Sequence, residues 1–369
     1  MTEIALAISK RSWNGLKIFL YGFYAQWPMF VVPGFFFLTN YILFARLPHH
    51  NVAKMIDLLA DLFDFSIPAT LLVLWIANLL RIVVLKKPEH QTRVLIQSVA
   101  DFFVHPSRII NGVPVLAAMI FLNKAMVELK FEIPKIQPFA WDETFSKLDR
   151  ALHFGVDPWV LLQPIMGYDA ITFASNILYN FWFIALFGIW IWFAFQAQAT
   201  ELRTRFLLSY MLVWWLGGGL MAVAFSSAGP AYYTLIGLPH DPYVGLMAYL
   251  NDVNTRLPIW SLDTQRLLWD GYQGRGDPLG ISAFPSMHNG SAILFALAMR
   301  HVSKPLGYIF SAYAIIIMVT SVHLGWHYAV DGYVAIMLGL LCWWIAAPMA
   351  RYIHRRPEMI KFNQALAEI

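Results

Sequence analysis

The amino-acid sequence predicts an all-α, polytopic membrane protein with about eight transmembrane helices. Hydrophobic residues make up 59% of the 369 positions, charged residues make up only 13%, and the mean hydropathy is +0.57. Soluble domains carry about 25% charged residues because their surfaces face water. A chain this poor in charge is typical of a protein that faces lipid. Its net charge of +4 is small, and we expect no nucleic-acid partner.

Each predicted span is a run of mostly apolar residues, and a helix needs about 20 of these to cross the hydrocarbon core. An amphipathic stretch without a cleavage-site pattern precedes the first span, so no removable signal peptide is expected. The predicted spans are 29–45, 67–84, 109–125, 174–195, 206–225, 288–299, 306–321 and 329–349.

We divide the chain into three parts on the basis of these spans. Residues 1–108 hold the amphipathic segment and two accessory spans, and residues 351–369 form a tail. Residues 109–350 form the core, which carries two long loops at 126–169 and 226–284.

The lysines and arginines predict how the chain is oriented. An even number of spans places both termini on one side, and that side carries most of the cationic residues that lie close to span ends. Such residues accumulate on the cytoplasmic side. We therefore expect cytoplasmic termini in a plasma or inner membrane, or in a Golgi-type membrane of a eukaryote, with both long loops on the opposite face.

Two stretches that contain histidine are predicted to meet on that opposite face. "FPSMH" enters the sixth span, and "TSVHLGWHYAVDGY" lies between the seventh span and the eighth. Ser286 suits the N-cap of a helix, and His288 would lie in its first turn, where free N–H groups favour a phosphate. His327 and Asp331 are four residues apart, so they share a helix face.

This arrangement predicts catalysis at phosphorus. The Asp331 carboxylate would orient the His327 imidazole and leave its Nε2 free as a nucleophile. His288 would then protonate the leaving oxygen. No cofactor is expected for this chemistry.

Two other functions fit parts of the same pattern. His323, His327 and Asp331 recur at every fourth position, which suits a metal-dependent membrane hydrolase but leaves "PSMH" unexplained. A transporter that uses the histidines as a proton relay is the non-catalytic alternative. The sequence shows neither the internal repeat nor the paired broken spans of many transporters.

The stretches "PSMH" and "HYAVD" resemble two signature motifs of the type-2 phosphatidic acid phosphatase superfamily. The usual forms are Pro-Ser-Gly-His, and Ser-Arg followed by five residues, His, three residues and Asp. Met287 replaces the glycine here, Thr320 and Ser321 replace the Ser-Arg pair, and the first signature (Lys, six residues, Arg-Pro) is not found. With "SSAGPAYY" and "WDETFSKLDRALHFGVDPW", the chain is similar to the branch of inositol phosphorylceramide synthases and their bacterial relatives.

The resemblance implies a six-helix core, a phosphohistidine intermediate and no metal. It implies that His327 is the nucleophile, Asp331 its orienting group and His288 the general acid. The missing arginines leave open which residues hold the phosphate oxygens. The candidate substrate-binding residues, besides Ser286, are Arg266, Arg275, Lys147, Arg150, Tyr179 and Asn180.

A site at the membrane edge predicts a lipid phosphate or a lipid phosphodiester as substrate. The acceptor is either water or a lipid alcohol, so the protein is predicted to be either a phosphatase for phosphatidate or polyprenyl phosphate, or a transferase. The long, aromatic loops favour transfer slightly, because they would cover the site and exclude water.

Overall fold

The computed structural model describes residues 15–44, 105–276 and 279–369, together with a few positions between 90 and 97. The described residues form helices and contain no strand, which confirms the all-α prediction. The helices are α1 (15–25), α2 (Val31–Phe44), α3 (Pro106–Ile136), α4 (Asp142–Leu152), α5 (Pro158–Met166), α6 (Asp169–Ala194), α7 (Glu201–Ala224), α8 (Val244–Asn254), α9 (Trp260–Tyr272), α10 (Met287–Val302), α11 (Lys304–His323), α12 (Ala329–Arg355) and α13 (Pro357–Ala367).

Six helices among the described residues are long and apolar enough to cross a membrane. They are α2 with its preceding turn, α3, α6, α7, α11 and α12. Helix α10, predicted as the sixth span, has 16 residues and reaches about 24 Å, less than the about 30 Å of a hydrocarbon core. The predicted span 67–84 lies outside the described residues, so the count of eight stays a prediction.

The short helix α10 lies inside the bundle, where it packs against α7, α11 and α12. Glycine permits its close approach to α12. A Cβ on Gly339 would lie 3.1 Å from the Gly290 carbonyl oxygen. Small residues at a contact of this kind let two helix backbones come near each other.

A buried arginine joins the helices at the end of the bundle opposite the histidine stretches. Arg203 of α7 is fully buried and donates to the carbonyl oxygens of Phe193 and Ala194, the last residues of α6. It also donates to the Gln26 side chain and to the Asn111 carbonyl oxygen. These bonds satisfy the unpaired carbonyls at a helix end and connect α6, α7 and α3 to the chain that precedes α2.

The two predicted loops contain helices of their own. Helix α3 continues to Ile136, beyond the predicted span end at residue 125, so residues 126–136 are helical. The remainder of the first predicted loop holds α4 and α5, and the second holds α8 and α9. The two segments meet at the same end of the bundle, because Trp141 donates its N–H to the Ser226 carbonyl oxygen at 3.3 Å.

Candidate active site

Helix α10 begins at the stretch that contains His288. Ser286 is its N-cap, and the serine hydroxyl accepts hydrogen bonds from the Asn289 backbone N–H at 3.5 Å and from the Asn289 side chain at 3.0 Å. Ser286 is fully buried. This cap satisfies one of the free N–H groups of the first turn, and it places His288 one residue inside the helix.

His327 lies in the turn before α12, and Asp331 lies in the first turn of that helix. The His327 Nδ1 is 3.3 Å from the Asp331 Oδ2, which also accepts the Tyr328 backbone N–H at 3.1 Å. An ionised Asp331 carboxylate accepts and does not donate, so beside it Nδ1 carries the ring proton and Nε2 keeps its lone pair. Asp331 is fully buried.

Burial lowers the pKa of His327 to about 3. The Ala283 carbonyl opposes this effect, and the positive charge of Lys130 adds to it. The imidazole is therefore neutral near pH 7, which is the form that can attack an electrophile.

The structure brings the two histidine stretches together. The ring centroids of His288 and His327 are 6.2 Å apart, and the Ser286 N–H donates to the Asp331 carbonyl oxygen at 3.2 Å. This backbone bond ties the start of α10 to the start of α12. The two imidazoles thus lie close to each other at the starts of α10 and α12.

Aromatic rings of α6 hold His288. Its ring stacks on Tyr179 with centroids 4.4 Å apart, and Trp182 packs against it at 4.0 Å. Tyr179 also stacks on Trp326, with centroids 6.1 Å apart. The His288 Nε2 is buried and has no hydrogen-bond partner in the described part of the chain.

Comparison with family models gives one match for this chain. A family model described as the PAP2 superfamily matches residues 143–345, more than half of the chain. The chain belongs to the PAP2 superfamily. No curated protein and no solved structure matches it. Membership supports a function of the phosphatase or phosphotransferase type, in a protein whose apolar helices are those of a membrane protein.

One residue of this PAP2 protein escaped the sequence analysis. Lys130 lies near the end of α3, close enough for its charge to act on both His288 and His327. Gln137 and Pro138 follow it at the spacing of the first PAP2 signature, with glutamine in place of arginine. A search for that signature that allowed this one exchange would have found Lys130.

The methionine that replaces the glycine of the second signature occupies space left by glycines in α7. A π-helical turn, Leu216–Met221, interrupts α7 beside the site. A Cβ on Gly217 would lie 2.6 Å from the Met287 Cε, and one on Gly218 would lie 3.4 Å from the Met287 sulfur. The glycines of this turn therefore make room for the longer side chain.

A serine occupies the position of the missing arginine of the third signature. The Ser321 hydroxyl donates to the Met318 carbonyl oxygen at 2.8 Å and accepts from the Asn289 side chain at 3.3 Å. Ser321 is fully buried and connects α11 to α10. The position thus carries a packing contact and no cation.

The four predicted phosphate-binding cations are exposed, and each lies in an ion pair with an acidic side chain of the outer segments. Arg266 pairs with Asp263, and Arg275 pairs with Asp270. Lys147 pairs with Glu143. Arg150 lies 3.6 Å from the Asp157 carboxylate and donates to the Gly155 carbonyl oxygen. A role for them in binding phosphate stays a prediction, and it requires these pairs to open.

The two predicted polar residues of α6 have different surroundings. Tyr179 stacks directly on His288. Asn180 donates to the Asn176 carbonyl oxygen at 2.7 Å, within its own helix. Asn176 in turn accepts the Ser261 hydroxyl at 2.9 Å, so this pair fastens α9 to α6.

His323, the third member of the predicted metal-binding set, makes a separate contact. Its Nε2 lies 2.9 Å from the Thr172 hydroxyl, which also lies 2.8 Å from the Tyr249 hydroxyl. Within the described residues, no three His, Cys, Asp or Glu side chains are grouped so as to hold a metal ion. His327 pairs instead with Asp331.

Proposed function

We propose that this protein is a lipid phosphotransferase that works through a phosphohistidine on His327. The observation that carries the proposal is the pairing of His327 with Asp331 opposite His288. A neutral imidazole with a fixed Nε2 lone pair can attack phosphorus, and a second imidazole across the reacting group can move a proton on the leaving oxygen.

The reaction balances in two steps. In the first, the His327 Nε2 forms a bond to phosphorus, the bond from phosphorus to the leaving oxygen breaks, and His288, in its protonated form, gives that oxygen a proton and becomes neutral. In the second, the hydroxyl of a lipid alcohol attacks phosphorus, His288 takes the hydroxyl proton, and the bond between nitrogen and phosphorus breaks. His288 therefore serves first as the acid and then as the base.

The charges near the imidazoles favour a phosphodiester as the donor. A phosphate monoester carries a charge of about −1.5 to −2 near pH 7, whereas a diester carries a single negative charge. Lys130 is the cation that acts on both imidazoles, and Ser321 stands where the third signature has arginine. One lysine suits one negative charge on the transferred group.

The segments over the site favour an alcohol rather than water as the acceptor. The side-chain amide of Gln265, in α9, donates to the Leu324 carbonyl oxygen at 3.0 Å. The backbone carbonyl oxygen of Gln265 accepts a hydrogen bond from the Tyr232 hydroxyl. These bonds hold α9 against the turn that carries His327. A covered site limits the access of water to a reactive phosphohistidine.

The test uses purified protein in lipid vesicles with a phosphodiester lipid labelled in its head group and a fluorescent lipid alcohol. We expect the alcohol to gain the labelled head group, with one released lipid alcohol for each transfer, and His327→Ala to give none. A water-soluble phosphorylated head group as the sole product would make the protein a hydrolase. Preferred cleavage of a phosphate monoester would contradict the charge argument.

We also propose that the site faces away from the cytoplasm, as the distribution of lysine and arginine predicts. Single cysteines placed in the 226–284 segment of a Cys342→Ala protein should react with an impermeant thiol reagent added to intact cells. Labelling that appears only after lysis would reverse the orientation.

A further inference from the structure

Helix α4 contacts the segment between His327 and Asp331 through one polar face. Asp142 and Asp149, two turns apart on this face, are almost fully buried. On the other face, Leu148 and Leu152 are exposed. Carboxylates are rarely buried unless they are paired, so the partners of these two show what the helix does.

Asp149 binds the first backbone N–H groups of α12. Its Oδ2 accepts the Ala329 N–H at 2.7 Å, and its Oδ1 accepts the Val330 N–H at 2.8 Å. The first N–H groups of a helix have no partner within that helix, and a negative charge at this end is stabilising. Asp149 therefore supplies from α4 a cap for the helix that carries Asp331.

Asp142 binds the residues on both sides of this junction. It accepts the Tyr328 hydroxyl at 2.8 Å and the N–H groups of Ala228 and Gly229 at 2.8–3.0 Å. Gly229 has a positive φ of 102°, and a Cβ there would lie 2.8 Å from the Trp326 carbonyl oxygen. The carboxylate thus joins the "SSAGP" stretch to the turn around His327.

We propose that α4 is a positioning element, in which Asp149 fixes the start of α12 so that the His327–Asp331 pair keeps its geometry. The inference rests on the proposed function of His327. Asp149 touches Ala329 and Val330, which lie between His327 and Asp331 in the chain. A small displacement of this segment changes the direction in which Nε2 points. Misplacement of a reacting group by 1 Å can lower a rate about 10²-fold.

The charge state of Asp149 predicts a dependence of kcat on pH, which a purely structural role for this residue would not produce. The pKa of Asp149 is raised to about 7, mainly by burial and also by the negative charge of Asp331. The Ala329 and Val330 N–H groups and the nearby His153 act in the opposite direction. Tyr243 and Tyr333 also face this carboxylate. The carboxylate accepts both N–H groups above about pH 7. A protonated carboxyl would turn one oxygen into a donor toward an N–H group.

The experiment compares Asp149→Asn with Asp252→Asn, an exposed aspartate of α8 whose ion pair with Arg256 involves no predicted site residue, in full-length protein in vesicles. We expect the unaltered protein to show a rise in kcat near pH 7. We expect Asp149→Asn to bind the labelled lipid with unchanged KM, to lose about 10²-fold in kcat, and to lose that rise. Asp252→Asn should retain both the rate and the profile.

Each outcome separates the two proposals. An unaltered protein that makes no phosphohistidine would remove the function on which the inference rests. A working unaltered protein with an equally active Asp149→Asn variant of the same pH profile would overturn the inference alone. If Asp149→Asn fails to fold, two measurements replace it: the kcat of Asp142→Asn and the pH profile of kcat in the unaltered protein. A profile that is flat from pH 6 to 8 overturns the inference.

Discussion

The two histidines of the site are held in different ways. His327 is fixed by a carboxylate, and the segment that contains it is joined by hydrogen bonds to α4 and α10. His288 lies between Tyr179 and Trp182, and its buried Nε2 has no partner in the described part of the chain. The difference matches the two tasks, because a nucleophile needs one fixed tautomer whereas an acid–base group has to change its protonation state within a cycle.

The largest expected effect comes from removing His327, the histidine that is held by polar contacts. We expect His327→Ala to lower turnover at least about 10⁴-fold, because the step that forms the covalent intermediate disappears. Turnover of the labelled phosphodiester lipid measures the loss, and size-exclusion chromatography in detergent checks folding. A well-folded His327→Ala protein with near-normal turnover would show that the site lies elsewhere.

The positive charge of Lys130 acts on both histidines. Its replacement should have the next largest effect. Lys130→Met should lower kcat/KM about 10²–10³-fold, because charge that develops on the phosphate oxygens loses its cation. Lys130→Arg should retain more activity, since it keeps the charge. Lys124→Met, an exposed lysine on the same helix, is the matched control. Equal activity of the Lys130→Met and Lys124→Met proteins would remove Lys130 from the site.

A smaller effect is expected at Trp182, one of the aromatic residues that pack against His288. Trp182 packs on the His288 ring, and an aromatic face stabilises the protonated form that acts as the acid by about 0.5–2 kcal/mol, so Trp182→Leu should lower kcat about tenfold. Trp182→Phe keeps an aromatic face and should recover most of the rate. Trp344→Leu, at an exposed tryptophan of α12, controls for the loss of an indole. Similar rates for the Phe and Leu variants would show that bulk alone positions His288.

The smallest effect concerns the junction between Met287 and the π-helical turn of α7. Gly217→Ala places a methyl group against the Met287 and Leu338 side chains and should cost about 1–3 kcal/mol through overpacking. Adding Met287→Gly should restore part of the lost melting temperature, because one of the two contacts disappears. A double variant that melts no higher than the Gly217→Ala protein would show that the two positions are not coupled.

The sequence predicted the polar half of the site better than the rest. The four-residue spacing predicts that His327 and Asp331 share a helix face. The structure pairs their side chains, but His327 lies in the turn before α12 and only Asp331 lies in the helix, so the predicted shared face is wrong. His288 follows a serine N-cap, and this local signal also indicates its place in the first turn. The aromatic packing of His288 depends on α6, which is far away in the chain, so no local pattern reveals it.

Lys130 shows why the phosphate-binding residues were harder to predict. The apolar run that predicts this span ends at residue 125, because the charged residues that follow are typical of a loop. The helix continues, and one of those charges faces the histidines. The exposed cations Arg266 and Arg275 precede the His288 motif in the chain, and this position predicts that they bind phosphate. Their pairing with Asp263 and Asp270 depends on how the outer helices fold.

The phosphohistidine itself provides the most direct test. Protein mixed with the head-group-labelled phosphodiester lipid, without an acceptor, would be quenched in alkali, where a phosphorus–nitrogen bond survives, and its peptides would be weighed by mass spectrometry. We expect the added mass on the peptide that contains His327, its absence in His327→Ala, and its loss when a lipid alcohol is supplied. Turnover by a protein whose His327 peptide never gains that mass would contradict the account.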